Sequence, residues 1–549
     1  MRIGMKVLIR LVHMVKRNII FSISVTGALI LHLVLAWQPL NRLEGFRLIT
    51  GNGPLMDDSY IFFKISKDIA DWVAGYSPSF QLTSGFQPLI AFFYYPFFQL
   101  LWDHKELPIH FALSLNAVLG FFANILSYRL LRNIVSCSIA TFLVSVWVWS
   151  PYVMYQSING METTLALLLV LIAVSYYLKI TQLNSHEIRS WCILGLILGV
   201  GFWARVDIGL LGVAIVLDQV WCGISMDQHL LPIRLRNIFL CSVTALVIAS
   251  PWIVFTIMDA GTILPISGRA VHQVTSVLFD FRHPKHGSFI SFMFMYFKKE
   301  LFTYQPLVAL SPHKTWQLFI TGLSAVGFLI AWQDRKLRNL FRFVWIFQVT
   351  IVVSYIVFIG GFWHLNRYLY PVFTLMLLLH ATTLSYLQSK FSLKSWLVTM
   401  MLLLVFVPFI VSYTSQYQFQ WSKNLPSRYL AASLFVKEHI PQKVKVGTFQ
   451  SGCLSYWLDN RVVNLDGVVN REAYVHLKNK TMDKYLDAQE IDFLVEEVFL
   501  FEMWNEYLGG QLSNQYKLVV LKVEKLLSKA NSKLGIYKRN PKKRIDTIP

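Results

Sequence analysis

The chain has 549 residues, 55% hydrophobic and only 15% charged, where a soluble domain carries about 25% charged residues; this excludes an ordinary soluble enzyme and describes a polytopic membrane protein. The formal net charge of +20 does not imply nucleic acid as a partner, because many Lys and Arg fall in short clusters between apolar runs, where cytoplasmic loops concentrate positive charge. The five cysteines show no CxxC or metal-ligand spacing, so neither a disulfide framework nor a zinc site is expected.

The basic start (Arg2, Lys6, Arg10, Lys16, Arg17) precedes an apolar run at 19–37 with no small-residue cleavage site behind it. It reads as a signal anchor with a cytoplasmic N-terminus. Further apolar segments follow at 89–102, 109–128, 139–155, 164–178, 191–203, 208–221, 238–257, 318–332, 343–360, 370–387 and 396–413, twelve in all. Helices are the open structure that satisfies its own backbone in lipid.

Basic clusters at 129–132, 179–189, 234–236, 335–338 and 390–394 orient these segments if they are cytoplasmic. The stretches 159–162, 204–207, 258–313 and 361–367, and everything after 413, then face outward. Residues 57–58 must also be outside, so segment 89–102, short and holding Pro96, is expected to dip into the membrane without crossing. That leaves about eleven full crossings.

Near residue 425 the composition shifts. The pattern predicts a helix over 431–440 and strands over 443–448, 461–465 and 491–495. The expected plan is a transmembrane domain, 1–420, with a first outer loop at 38–88 and a long outer loop at 258–313, then an outer α/β domain with a basic tail, 421–549. Residues 517–543 are basic and weakly amphipathic, suiting a solvated helix or one lying on anionic headgroups.

The polar groups of the outward loops carry the chemistry. Met56-Asp57-Asp58-Ser59-Tyr60 sets two adjacent carboxylates beside the membrane, where charge is costly unless it has work to do; the alternative is that they cap the helix that follows. Thr83 to Pro88, with Gln87, makes a turn into the dipping segment. Glu162, in Asn159-Gly160-Met161-Glu162-Thr163, is either a cap or a site carboxylate, and Arg205 with Asp207 reads first as an ion pair stapling a hairpin. The long loop offers Arg269, Arg282, His283, Lys285 and His286, suited to a lipid phosphate or to ordinary headgroups, and His364, Arg367 and Tyr368 stand at the mouth of a span with Pro371. The chain has no Walker loop, no GxGxxG after a strand and no DxD, so an activated, lipid-borne substrate fits better than a nucleotide.

Asp57-Asp58-Ser59-Tyr60-Ile61 resembles the DDAYI-type first-loop motif of the GT-C superfamily of membrane glycosyltransferases. Gly160-Met161-Glu162-Thr163 is similar to their GMET-type motif, and Arg205-Val206-Asp207 with Gly209 to their R-P-(D/E)-G hairpin. Leu264-Pro265 with Arg269 is similar to an L-P-N-T-x-x-A-K loop, and Asn366-Arg367-Tyr368-Leu369 to an RYL-type motif. Val446-Gly447, Gly452 to Tyr456 and Asn464 to Asn470 resemble the outer domain of the branch that includes mycobacterial terminal arabinofuranosyltransferases. Val206 stands where Pro is usual, Arg269 where Lys is common, and Ser59 where Ala is.

The resemblance implies an inverting transferase that moves a sugar from a polyprenyl-phosphate donor to a glycan, lipid or protein acceptor hydroxyl, outside a bacterial inner membrane. It implies Asp57 as general base, Asp58 orienting an acceptor hydroxyl or a nearby cation, and Arg269, Arg367 and His364 on the donor phosphate. Glu162, Arg205, Asp207, Tyr60 and Gln87 would form the wall. Membrane lipids are partners; no organic cofactor is implied, and the adjacent acids could help hold a divalent cation although no full ligand set is visible. A transporter or flippase of lipid-linked saccharides, and a wall-polysaccharide polymerase or ligase, are the competing readings.

Overall fold

The computed structural model describes residues 18–40, 54–74, 83–101, 103–225, 228–282, 288–308, 314–391, 428–458, 461–520 and 534–540. Every apolar segment expected from the sequence is helical except the last, at 396–413, which lies outside the described residues. Among the described residues eight helices are long and apolar enough to cross a membrane, and a bent pair makes a ninth. That pair is Cys137–Val148 and Pro151–Ser157, turned by 66°. Pro151 opens the second piece and Ser150 Oγ accepts from Val153 N–H at 3.2 Å, so what reads as one segment has a capped second start.

Pro88–Leu101 and Ile188–Ala204 are shorter apolar helices. The first has 14 residues, at about 1.5 Å each too short for a hydrocarbon core of about 30 Å. The protein is thus a multi-pass helical membrane protein. Many of its exposed side chains are large and apolar, among them Phe239, Leu246 and Val247 on the long helix Leu231–Ala260, as a lipid-facing surface requires.

The stretch 258–313, expected as a long outer loop, holds the helices Ile266–Arg282 and Phe289–Tyr304. One expectation is corrected. The basic stretch 517–543 is not helical where it is described: its ends form strands β4 (Tyr516–Val520) and β5 (Leu534–Arg539). Here β4 pairs antiparallel with β5, Leu518 opposite Tyr537, so the stretch joins a sheet rather than lying as a helix.

These strands close a five-stranded sheet with β1 (Lys445–Thr448), β2 (Val462–Asn464) and β3 (Ile491–Glu497) in the order β2-β1-β3-β5-β4. β2, β1 and β3 are parallel, and β5 runs antiparallel to β3 and β4. Ala432 and Val436 of the helix Arg428–His439 pack on Val446, Val495 and Ile536, giving the sheet its own small core. Glu496, buried at the end of β3, accepts from Phe449 N–H at 2.7 Å and Gln450 N–H at 3.3 Å and so shapes the loop after β1.

The helices bring two sets of turns to two ends of the bundle. The turns bearing four of the five basic clusters meet around a cavity of about 480 Å³ lined by Asn133, His186, Arg234, Asp334 and Arg342. The other ends of the same helices carry Glu162, Asp207 and Tyr355, which face a different cavity.

Candidate active site

That second cavity, about 580 Å³, is lined by Asp57, Asp58, Gln87, Glu162, Arg205, Asp207, Arg269, His364 and Arg367. Stretches far apart in sequence thus converge because each lies at the same end of an apolar helix. Tyr60 is the exception among the expected wall residues. It is 1% exposed and packs on Phe63 and Tyr456, because the arc of the helix Asp57–Val73 that faces the cavity runs through Asp58, Ile61 and Phe62, and Tyr60, about 100° back from Ile61, falls outside it. Of the expected long-loop cations, Arg282 lies over the Phe499 ring, and His283, Lys285 and His286 lie outside the described residues.

Ser59 ties the first two motifs together: its hydroxyl donates to the Asn159 carbonyl at 2.6 Å and accepts from Met56 N–H at 3.1 Å. The turn before Pro88 is held by Ser84, whose N–H and hydroxyl both donate to Asp259 Oδ2, at 2.6 and 2.5 Å. Beyond Ile359 the chain reverses at Gly360 and Gly361, with φ of 75° and 69°, a left-handed pair that glycine allows. Gly361 N–H donates to Thr275 Oγ1 at 2.9 Å, anchoring the turn that presents His364 and Arg367.

The two first-loop carboxylates point apart. Asp57 Oδ2 accepts from Gly452 N–H and Oδ1 from Cys453 N–H, both at 2.8 Å. The capping chemistry weighed for this residue is therefore real but acts on the helix Gly452–Leu458 of the sheet region rather than on its own helix. A Cβ at Gly452 would sit 1.9 Å from the Asp57 carbonyl oxygen, so only glycine permits this approach. Burial pushes the Asp57 pKa up to about 6, offset in part by the two amides.

Asp58 Oδ2 instead meets Arg367 at 3.1 Å and His364 Nε2 at 3.2 Å. Burial opposes its ionisation, but these two partners overcome it and hold the carboxyl well below the usual range. His364, expected on a donor phosphate, is thus engaged with Asp58.

Arg205 binds Asp207 through two nitrogens, with Nε at 3.0 Å, and donates to the Tyr368 carbonyl at 3.0 Å. Tyr355 adds a hydroxyl to Asp207 at 2.8 Å. This is a closed staple, the simpler of the two readings. Glu162 precedes Thr163–Gln182 without any side-chain capping bond, and its Oε2 is buried with no hydrogen-bond partner among the described residues, as are Gln87 Oε1 and Arg367 Nε. Arg269 donates to the Ala260 carbonyl at 2.6 Å and lies over the Tyr474 ring; among the described residues it forms no ion pair, which leaves its charge available.

The sheet region supplies wall residues that the sequence reading passed over, among them Gln450, Asp466, Tyr474 and Lys478. Asp466 accepts from Asn464 Nδ2 at 2.7 Å and Val468 N–H at 2.9 Å, and burial, aided by Asp57 and Asp58, raises its pKa to about 7. Its place between Asn464 and Gly467 in a turn-like stretch gave no sign of chemistry. The adjacent acids do not converge on one point, and among the described residues no group of three or more His, Cys, Asp or Glu is placed to hold a metal.

Residues 87–255 match the Dolichyl-phosphate-mannose-protein mannosyltransferase family and residues 411–537 a domain of unknown function (DUF8728). No curated protein matches significantly. Among solved structures, the *Archaeoglobus fulgidus* oligosaccharyltransferase tethered with an acceptor peptide aligns with a TM-score of 0.55 at 10% identity, over 90% of this chain and 72% of that one. ArnT from *Cupriavidus metallidurans* bound to undecaprenyl phosphate aligns at 0.53 and 14% identity, over 93% and 97%. The archaeal oligosaccharyltransferase AglB with an inhibitory peptide and a dolichol-phosphate gives 0.55 at 11%, over 91% and 73%. The mycobacterial branch gains no support from these matches. Over nearly its whole length the chain has the fold of the GT-C membrane glycosyltransferases.

Proposed function

We propose that the protein transfers a sugar from a polyprenyl-phosphate donor to an acceptor hydroxyl, with inversion at the anomeric carbon, on the extracytoplasmic face of a bacterial inner membrane. One observation carries this reading: the carboxylates Asp57, Asp58 and Glu162 and the cations Arg269 and Arg367 share one cavity at the ends of membrane helices. The lipid phosphates bound to ArnT and AglB support the donor class, and the acceptor peptide tethered to the archaeal enzyme keeps a protein among the acceptor classes. The gathering of the basic turns at the opposite end supports the sidedness.

In this mechanism Asp57, with its pKa near 6, is deprotonated at neutral pH yet basic enough to take the acceptor proton as the oxygen attacks. The Gly452 and Cys453 amides orient it. Asp58 stays ionised and fixes Arg367, and Arg367 with Arg269 stabilises the negative charge that grows on the departing lipid phosphate. Glu162 is available to a sugar hydroxyl. The reading predicts that the purified protein, offered a panel of polyprenyl-phosphate sugars, releases free lipid phosphate from at least one of them; silence across the panel refutes it.

A further inference from the structure

The sheet region lends the active-site cavity Gln450, Asp466, Tyr474 and Lys478, and the mechanism above uses none of them. Asp466 is the one whose bonding is incomplete. Asn464 Nδ2 and Val468 N–H both donate to its Oδ1, at 2.7 and 2.9 Å. Among the described residues its Oδ2 accepts no hydrogen bond and the carboxylate forms no ion pair. Unfilled acceptors recur in this cavity: Glu162, only 3% exposed, has its Oε2 without a partner among the described residues, and so has Gln87 its Oε1. A ligand rich in O–H groups supplies what such oxygens lack.

The loop that carries Asp466 is fixed before any ligand arrives. Asn464 Oδ1 accepts from Gly467 N–H at 3.1 Å, and Asn470 Nδ2 donates to the Asn464 carbonyl at 2.8 Å. Gly467 has φ of 80°, and a Cβ there would lie 2.5 Å from the Tyr474 Cβ. A carboxylate held in this way costs little to order on binding.

The same loop is tied to Asp57. Asn464 Nδ2 also donates to Ser451 Oγ at 2.8 Å, and the two residues after Ser451 are Gly452 and Cys453, whose N–H groups hold Asp57. The charges of Asp57 and Asp58 help to raise the Asp466 pKa, so the three carboxyls feel one another. Asp58 is neutralised by Arg367 and His364, whereas the bonds to Asp57 and Asp466 come from neutral donors.

We propose that Asp466 binds the acceptor, accepting from a second hydroxyl of the molecule whose first hydroxyl is activated at Asp57, and that the acceptor is a sugar ring or similar polyol rather than the single hydroxyl of a serine or threonine. The inference rests on the transferase reading above. In that reading the phosphate belongs to the Arg367 side and Asp57 takes the acceptor proton, so the carboxylate tied to the Asp57 side meets the acceptor. The attacked O–H gives its proton to Asp57 as its oxygen bonds to the anomeric carbon, and the lipid phosphate leaves with the electron pair of the broken C–O bond. The second O–H keeps its proton and donates to Asp466 Oδ2. A sugar ring fixes several hydroxyls on one rigid frame, and hydrogen bonds to charged groups are the strong ones.

Full-length protein is assayed with the lipid-phosphate sugar that wild type turns over and a panel of methyl pentosides and hexosides, with the monodeoxy forms of the best acceptor and a serine-containing peptide beside them. In wild type, one monodeoxy form that keeps the attacked hydroxyl is expected to show an acceptor KM raised about tenfold. Asp466→Asn, which keeps an oxygen for Asn464 and Val468, is expected to raise the KM of the parent glycoside about tenfold and that of the same monodeoxy form by no more than about twofold, as coupled partners do. A rise of equal size on both acceptors means that Asp466 only shapes its loop, and overturns the assignment. So does a wild type that uses alike every monodeoxy form keeping the attacked hydroxyl, that glycosylates the peptide as readily as any glycoside, or that releases lipid phosphate without transfer to any glycoside; none of these touches the donor half of the transferase reading. A wild-type chain that releases no lipid phosphate from any donor sinks that reading and this one together.

Discussion

Each end of the bundle buries an arginine against an aspartate and a tyrosine, and the two clusters differ in what they leave over. At the basic end Asp218 accepts from Arg342 and Tyr177, each at 2.5 Å, Gln219 donates to Tyr177 at 2.6 Å, and Arg234 donates to Gln219 at 2.9 Å. Each of these bonds lands on another member of the set, and one buried atom of the set, Arg234 Nε, has no hydrogen-bond partner among the described residues. At the other end Arg205, Asp207 and Tyr355 close in the same way, but beside them Glu162 Oε2, Gln87 Oε1 and Arg367 Nε are buried without hydrogen-bond partners among the described residues. Buried polar atoms are costly when unpaired; the first cluster leaves one such nitrogen and the second leaves three atoms, two of them acceptor oxygens facing the cavity, so the first reads as a staple and the second as a surface built to meet a ligand.

The largest expected effect separates the two ends directly. Asp57→Asn should lower transfer by about 10²–10⁴, the span of general-base contributions, with membrane insertion intact, whereas Asp218→Asn should lower thermal stability and leave the turnover of the folded protein alone. Equal catalytic losses would erase the distinction.

Next come the arginines. Arg367→Ala should cost about 10²–10³ in kcat; Arg342→Ala should cost about 3–5 kcal/mol of stability, as breaking a buried pair does, with kcat of the folded fraction unchanged. Kinetics set beside thermal melts of both variants decide this.

The acid limb of the pH profile is smaller and more diagnostic. The active form of Asp57 is the ionised one, so activity should be full above about pH 6 and fall about tenfold per unit below it. Because its pKa in the fold is raised, protonating Asp57 favours the folded state, and its stability contribution is lost only as pH rises through about 6. Activity lost between pH 6 and 4 without a drop in melting temperature is therefore the expected signature. Gly452→Ala, which pushes the helix Gly452–Leu458 away, removes two amides that lower that pKa; the limb should move to higher pH, and an unmoved limb would separate Asp57 from the acid limb. Last, a cysteine placed within residues 335–338 should be labelled only from the cytoplasm; labelling from outside would invert the two ends.

The apolar segments were legible because about 20 residues of hydrocarbon-compatible sequence leave few alternatives. Asp57, Glu162, Arg205 and Arg367 stood out because charge at the end of such a segment is costly. Asp466 did not, since an aspartate in a polar turn is ordinary. Tyr60 was misassigned because packing, not spacing, decides which arc of the helix faces the cavity, and that arc runs through Asp58, Ile61 and Phe62. Nor could sequence couple Asp57 to Gly452, 395 positions away, as no local pattern records a contact between two stretches that meet only in the fold.

By itself, then, the sequence determined a multi-pass membrane protein with charged residues at the ends of its helices, because hydropathy and the cost of buried charge act locally. Only the tertiary structure decided that one carboxylate of the first loop belongs to the arginines and the other to the sheet region. Direction is a property of packing: two neighbours on a helix are turned about 100° apart, and what each then meets depends on the elements that close around them.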